Sequence, residues 1–363
     1  MSQSRSIETI QHLRAVAAIG VVVFHALSQA FGPDGVSAYV RLGAAGVDLF
    51  FVISGFIMWV TAIDKSSADP ARFAVRRLIR IVPLYWLMTT FILAVLFLVP
   101  GAMRSASFDA AHVIASYIFL AWPHPVIDGR LWPLVVPGWT LNYEMLFYAI
   151  VAVSLVFRRG VRAWLISAVI VGLIAMGLLL RPISVLAFYT DQILIEFLFG
   201  ITIGMVYTRP SPIKPAVAYA ALGVGILALL IMGPASSHAD RAITWGVPMA
   251  LIVFGSLNRG LLLAPTALFR LLGDASYSIY LTQFFAIAAG ARVLATVTAA
   301  VGTDFWGKLL TSAAIVAVAI ATGVVIYLVV ERPLTVALRG WGEHNKSDGL
   351  QSSPLAAGRN ETP

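Results

Sequence analysis

The amino-acid sequence predicts an all-α, polytopic integral membrane protein with about ten transmembrane helices and one short additional membrane-proximal segment. Of its 363 residues, 60% are hydrophobic and only 12% are charged, too little polar surface to cover a water-soluble domain. Apolar runs of about 20 residues, the length needed to cross a bilayer, recur along the chain. The first run has no small-residue cleavage site behind it, so we expect it to be retained as a helix.

Ten apolar runs are candidates for transmembrane helices. They cover residues 10–31, 43–63, 81–100, 139–157, 162–180, 187–207, 215–233, 243–257, 275–298 and 307–331. A shorter run, 108–122, carries His112, and we expect it not to cross. Both termini then face the cytoplasm together with most of the 25 basic residues, as the positive-inside rule requires. We therefore expect a transmembrane domain over residues 1–341 and a disordered cytoplasmic tail over residues 342–363.

The composition also argues against several classes of protein. The chain has no cysteine, and its six histidines show no metal-binding spacing, so we expect no metal site. The net charge of +8 would suit a nucleic-acid ligand in a soluble protein. In a membrane protein basic residues mainly set topology, so we expect no nucleic-acid partner.

Two residues interrupt the apolar run LRAVAAIGVVVFHALSQAF, namely Arg14 and His25. Their spacing corresponds to about three helical turns, so they share one helix face about 16 Å apart along the axis. Ionisable groups inside a membrane are costly and suggest function. The alternatives are a snorkelling topology anchor for Arg14 and an interhelical hydrogen bond for His25.

Three acidic residues lie at a depth similar to that of His25. Asp48, Glu144 and Asp191 each follow the expected outer end of a helix, about 6–10 Å below the outer boundary of the membrane. A carboxylate on one imidazole nitrogen raises the basicity of the other, as a general base requires. We therefore expect Asp48 or Glu144 to orient His25, with a purely structural polar network as the alternative.

Further polar side chains are candidates for binding the acceptor substrate. Tyr143 and Tyr148 flank Glu144 in the segment GWTLNYEMLFY, and Asp191 opens another helix. Gln283 lies in the segment LGDASYSIYLTQFF, which also contains Tyr277. We expect the four residues Tyr143, Tyr148, Asp191 and Gln283 to contact the acceptor.

The cytoplasmic side is expected to carry a cationic ridge. The segment ARFAVRRLIRIVPLYWL places Arg72, Arg76, Arg77 and Arg80 ahead of the third helix, with 72/76 and 76/80 at helical i, i+4 spacing. Guanidinium groups bind phosphate oxygens bidentately. We expect the ridge, with Arg14 and Tyr277, to bind a phosphate-bearing cofactor, although topology or contact with anionic lipids would also explain it.

At these residues the sequence resembles the membrane acyltransferase-3 family, the integral-membrane O-acyltransferases that decorate bacterial polysaccharides. The likeness is greatest to ExoZ-like exopolysaccharide O-acetyltransferases, and it runs from Ile10 to about Pro333. It rests on ordered motifs: LRAVAAIGVVVFH, GVDLFFVISGFIM, RFAVRRLIRIVPLYWL, GWTLNYEMLFY, GDASYSIYLTQ and VERP. One departure is Gln283, where the family commonly has histidine, which leaves His25 as the sole candidate base.

The resemblance implies a fold, an activity and a location. It implies ten core helices in a bacterial inner membrane, an Arg14–His25 pair essential for transfer, and arginines that contact acyl-CoA. The donor would be acetyl-CoA or another acyl-CoA, and the acceptor a polysaccharide or lipid-linked sugar. A proton-coupled transporter or flippase of polysaccharide precursors is the alternative, because buried histidines and acids also form proton relays.

Overall fold

The computed structural model describes residues 2–32, 35–99, 107–210, 213–234, 238–257, 267–301 and 305–340. The regular secondary structure in this part of the chain is all helical, with no strand. The expected all-α class is therefore confirmed. The expected tail, residues 342–363, lies outside the described residues.

The described α-helices alternate between long membrane-length segments and short connecting pieces. In chain order they are α1 (Ser2–Phe31), α2 (Ala38–Arg41), α3 (Gly46–Met58), α4 (Pro70–Leu98), α5 (Ala110–Tyr117), α6 (Trp139–Ser154), α7 (Arg159–Leu180), α8 (Ser184–Tyr189), α9 (Ile195–Tyr207), α10 (Pro215–Met232), α11 (His238–Arg241), α12 (Val247–Ser256), α13 (Ala267–Asp274), α14 (Ser276–Val301) and α15 (Phe305–Ile326). Short π-helical turns extend α3 to Ile63 and α15 to Glu331, and another joins α11 to α12.

Among the described residues, seven helical segments are long and apolar enough to cross a membrane. They are Glu8–Phe31, Tyr39–Ile63, Pro70–Leu98, Arg159–Leu180, Ser184–Tyr207, Pro215–Met232 and Phe305–Gly340. The other three expected spans are helical as α6, α12 and α14. The chain is thus consistent with a polytopic membrane protein, whereas the count of ten is not confirmed.

Local sequence signals explain where several helices begin. Asp69 accepts hydrogen bonds from the backbone of Ala71 and Arg72, and Pro70 occupies the first turn of α4. Asp109 caps α5 by accepting from His112 N at 2.7 Å. Helix α5 has only eight residues, about 12 Å of rise, and cannot span a bilayer.

Helix α1 lies at the centre of the bundle, between α3 on one side and α14 and α15 on the other. Helix α3 also packs closely on α9, where Gly55 and Gly200 face each other. A Cβ atom on Gly55 would collide with the backbone of Phe197, so only glycine allows this approach. The close crossing fixes α3, which supplies one wall of the site described below.

Arg162 joins three segments at one end of the bundle. Its buried guanidinium donates to the carbonyl oxygens of Ile63 (3.3 Å), Lys65 (2.7 Å), Leu155 (3.3 Å) and Phe157 (2.9 Å). The ends of α3 and α6 therefore share one end of the bundle, here called the arginine end. The segment between α4 and α6, which includes 108–122, leaves and re-enters at the opposite end, in agreement with the expectation that it does not cross. That opposite end, where α1 finishes, is here called the histidine end.

Candidate functional site

A cavity lies between α1, α3, α4, α6 and α14, in the half of the bundle toward the arginine end. It contains about 730 Å³ of empty space, its opening included, and most of its wall is apolar. Its charged lining residues are Arg14, Arg77, Arg80 and Glu144, and its polar ones are Ser54, Thr140, Tyr148, Ser276, Tyr277 and Tyr280. This space is here called the arginine cavity.

Arg14 is held in the wall of this cavity by helix α14. Its Nε and Nη2 groups donate to the hydroxyl of Ser276 at 3.0 and 2.8 Å, and the side chain is only 8% exposed. Among the described residues, neither Arg14 nor Arg80 has a carboxylate within salt-bridge distance. Both guanidinium groups therefore keep positive charge available to an anion in the cavity.

The other charged groups of the cavity are held by neutral partners. Arg77 donates to the hydroxyl of Thr61 at 3.0 Å, and its guanidinium lies 5.7 Å from the ring centre of Tyr148. Glu144 accepts a hydrogen bond from Ser54 at 3.3 Å and another from the hydroxyl of Tyr148. Three guanidinium groups thus face one carboxylate, which gives the cavity an excess of positive charge.

The expected cationic ridge is divided in the structure. Arg77 and Arg80 line the cavity, whereas Arg72 and Arg76 are exposed and do not. Arg72 lies 3.9 Å from Asp69 at the start of its own helix. Arg77 and Arg80, which are three residues apart on α4, therefore point into the cavity. The helix face that carries Arg72 and Arg76 was also expected to bind the cofactor, but it points to the surface. Tyr277 lines the cavity as expected and donates to the carbonyl of Ile81 at 2.8 Å.

His25 lies farther along α1, toward the histidine end. Its Nδ1 atom is 3.3 Å from Oε1 of Gln283, whose own amide nitrogen donates to the carbonyl of Tyr280 at 3.0 Å. Helix α14 thus contacts both polar residues of α1: Ser276 contacts Arg14, and Gln283 contacts His25. Gln283 was expected to contact the acceptor, but the structure places it against the imidazole.

Asp48 does not lie beside His25. Helices α1 and α3 run antiparallel and cross where Gly20 meets Gly43. His25 lies five residues from this crossing toward the histidine end, and Asp48 lies five residues from it in the opposite direction. The two are therefore separated by about 15 Å along the helix axes. The expected pairing of His25 with Asp48 is not what the structure shows.

Asp48 is paired instead with Arg241. Arg241 Nε and Nη2 donate to the two carboxylate oxygens at 2.8 and 2.7 Å, and Asp48 is completely buried. The guanidinium also lies 4.7 Å from the ring centre of Trp245. Glu196, equally buried, lies close to this pair.

The remaining expected site residues lie apart from His25. Glu144 belongs to the arginine cavity, so it does not share the depth of His25 as expected. Tyr148 lines the same cavity. Tyr143 is buried with its ring stacked on Phe188 at 4.0 Å. Asp191 caps the 3₁₀ turn Gln192–Leu194 and lines a separate depression beside Arg181.

Three contributors to these clusters were missed by sequence reasoning. Ser54 and Ser276 are neutral residues with no distinguishing local sequence signal. Arg241 was not among the expected site residues. Its partner is 193 residues away, so only the fold reveals the pair. Among the described residues, no group of three histidine or acidic side chains could hold a metal ion.

The bundle of membrane-length helices and its arginine-lined cavity are accompanied by a sequence match to a known family: the chain belongs to the acyltransferase-3 family. The family's model, described as "Acyltransferase domain", matches residues 7–330. The expectation of an acyltransferase enzyme is therefore confirmed, as is the resemblance.

Individual relatives agree with this assignment. The chain is 37% identical to "Exopolysaccharide production protein ExoZ" of Rhizobium meliloti over 299 residues, 82% of this chain and 90% of that protein. It is 26% identical to "Acyltransferase MdmB" of Streptomyces mycarofaciens, over 88% of this chain and 89% of that one. It is also 26% identical to "Peptidoglycan O-acetyltransferase OatA" of Listeria monocytogenes, over 77% of this chain and 49% of that one. No solved structure matches the chain.

Proposed function

We propose that the protein is an inner-membrane O-acyltransferase that moves an acyl group, most simply acetyl, from acyl-CoA to a sugar hydroxyl. The acceptor would be a surface polysaccharide or exopolysaccharide, or its lipid-linked precursor. The names of two relatives support this class of acceptor, since one refers to exopolysaccharide and the other to peptidoglycan. Both are carbohydrate polymers.

The observation that carries the donor assignment is the arginine cavity. Three guanidinium groups and one carboxylate line it, and Arg14 and Arg80 have no ion-pair partner among the described residues. Guanidinium groups suit the phosphates of coenzyme A, and the apolar wall suits its long arm. Arg14, Arg77 and Arg80 would hold the phosphates, with Tyr277 in the same wall.

The reaction would take place at His25, on the same face of α1 as Arg14. Its imidazole takes the proton of the sugar hydroxyl while the oxygen attacks the thioester carbonyl. The bond between carbon and sulfur breaks, and the proton passes to the leaving thiolate of coenzyme A. Alternatively, His25 carries the acyl group first and gives it to the sugar in a second step.

The central test is transfer of radiolabelled acetyl from acetyl-CoA by the purified protein and its His25→Gln variant. Loss of a general base lowers a rate by about 10²-fold or more, and we expect at least this decrease. His12→Gln is the matched control, because His12 lies on the same helix against Phe269 and does not line the cavity.

Two outcomes would contradict the proposal. Transfer within a few-fold of wild type in His25→Gln would remove His25 from the chemistry. Binding of a sugar-lipid with proton uptake, but no acyl transfer by the wild type, would favour a transporter.

We further propose that the arginine end faces the cytoplasm, with both termini on that side. Most basic residues then obey the positive-inside rule, and acyl-CoA reaches its cavity directly. The chain has no cysteine, so single cysteines report sidedness cleanly. A cysteine at Gly160 should react with an impermeant maleimide only from the cytoplasm, and one at Asp128 only from outside. Labelling of Gly160→Cys in intact cells would overturn this orientation.

A further inference from the structure

Gln283 contacts the imidazole of His25 from a position buried inside the bundle. The amide is only 1% exposed, and it lies one turn beyond Tyr280 on α14. Its two polar ends have different partners: Oε1 is 3.3 Å from His25 Nδ1, and Nε2 is 3.0 Å from the carbonyl oxygen of Tyr280. This pair of contacts fixes which way the amide points.

A carbonyl oxygen can only accept, so the group facing Tyr280 O must be the NH₂ end of the amide. The reversed amide would set two oxygens against each other at hydrogen-bond distance. Oε1 therefore faces the imidazole, and because it too can only accept, His25 Nδ1 must carry the proton. A neutral imidazole has a single N–H, so Nε2 then keeps its free electron pair.

We propose that Gln283 is a positioning residue that holds neutral His25 as its Nδ1–H tautomer and leaves Nε2 as the reactive nitrogen. The inference rests on the proposed role of His25 and adds which nitrogen performs it. Sequence reasoning had expected a carboxylate in this place. An amide fixes the tautomer without adding a negative charge, so the imidazolium gains no ion-pair stabilisation from this contact.

The direct test is nitrogen NMR of detergent-solubilised protein labelled with ¹⁵N-histidine. The chain has six histidines, and the spectrum of His25→Gln assigns the His25 signals by their absence. We expect wild-type His25 to show a protonated Nδ1 and a bare Nε2 above its titration range. In Gln283→Met, which keeps side-chain length but removes both polar ends, we expect signals averaged over both tautomers.

Kinetics provide the second measurement. A change that leaves the histidine of a Ser-His-Asp triad in the wrong tautomer lowers kcat by about 10⁴-fold, and a neutral amide partner should contribute less, so we expect a loss of about 10-fold or more. We expect Gln283→Met to lower kcat by this amount with KM for acetyl-CoA nearly unchanged, because Gln283 does not line the arginine cavity. Thr282→Val is the matched control. It removes a buried hydroxyl from the same turn, one that donates only to Ser278 of its own helix.

The outcomes separate this inference from the proposed function. A bare Nδ1 in wild type would overturn the tautomer assignment even if transfer depends on His25. An unchanged His25 spectrum in Gln283→Met would overturn the role of Gln283 as the residue that holds this tautomer. If His25→Gln were active and the wild type showed the Nδ1–H spectrum, His25 would be rejected as the general base, whereas the tautomer assignment would be confirmed. If Gln283→Met fails to fold, the wild-type spectrum alone still shows which nitrogen of His25 carries the proton.

Discussion

The arginine cavity and the Asp48–Arg241 pair both place charged groups inside an apolar bundle, yet their partners differ. In the cavity, three guanidinium groups share one carboxylate and border about 730 Å³ of empty space, the opening to solvent included. In the pair, a bidentate carboxylate satisfies Arg241, and neither residue lines that cavity. An unpaired cation beside open space suits a ligand, whereas a paired cation in packed surroundings suits structure.

This contrast predicts that the two regions respond oppositely to the removal of one charge. Loss of a cation from the cavity removes repulsion and a ligand contact, so it should change binding and spare the fold. Loss of a cation from the pair leaves a buried carboxylate alone, so it should damage the fold. The following variants test this difference, in order of decreasing effect.

The largest effect is expected for Arg241→Met. Breaking a buried ion pair by removing one partner costs about 3–5 kcal/mol, and Asp48 here is fully buried. We expect a large fall in thermal unfolding temperature in detergent. The double variant Asp48→Leu with Arg241→Met removes both charges and should recover most of the loss, since apolar replacement of a whole buried pair is often neutral. Equal stability of wild type and Arg241→Met would show that the pair is not a structural element.

A smaller effect on stability, but a clear one on binding, is expected for Arg80→Gln. A hydrogen bond to a charged group contributes about 1.5–3 kcal/mol, so KM for acetyl-CoA should rise by about 10- to 100-fold. The unfolding temperature should stay within a degree or two of wild type. Arg76→Gln is the control, because Arg76 is exposed and outside the cavity. An equal rise in KM for both variants would point to general electrostatics and away from the cavity.

The smallest effect is expected from protonating a histidine at low pH. This histidine, His124, belongs neither to the Asp48–Arg241 pair nor to the arginine cavity. His124 Nδ1 accepts from the backbone of Val126 and Ile127 at 3.2 and 3.0 Å. Burial, and then the nearby His112, lower the pKa of His124 below its ordinary value. The unfolded chain therefore binds the proton more readily, and stability should fall as the pH drops below about 6.5.

The measurement is the unfolding temperature between neutral and mildly acidic pH. His124→Asn keeps an acceptor without the titrating group and should show a weaker pH dependence than wild type. His12→Gln serves as the control for a histidine elsewhere. A pH dependence equally strong in His124→Asn would assign the effect to other groups.

Local sequence patterns identified several residues that the structure brings together. Of the residues expected to bind the cofactor, Arg14, Arg77, Arg80 and Tyr277 line one cavity. The cluster of arginines ahead of the third helix and the membrane setting of Arg14 are visible in the sequence itself, whereas the expected i, i+4 face through Arg76 is not the one that faces the cavity. The all-α class follows equally from the apolar runs, which need no tertiary information.

Sequence reasoning failed to predict the depth of side chains in the membrane where that depth depends on how two helices cross. Asp48 and His25 were placed at one level by counting from expected span ends. Helix α1 extends past the start of α3, so the Gly20–Gly43 crossing shifts Asp48 away by about 15 Å. Likewise, Gln283 meets His25 across 258 residues, and no local pattern encodes that contact.

The carbonyl cluster around Arg162 has a consequence for the order in which the protein assembles during synthesis. All four of its acceptors, from Ile63 to Phe157, precede it in the chain, so this junction can close as soon as α7 emerges. The contacts of Arg14 and His25 with α14 span 262 and 258 residues and must wait for the chain to be nearly finished. The junction at Arg162 can thus form while Arg14 and His25 still await their partners on α14, so the contacts of these two side chains are completed late in biogenesis.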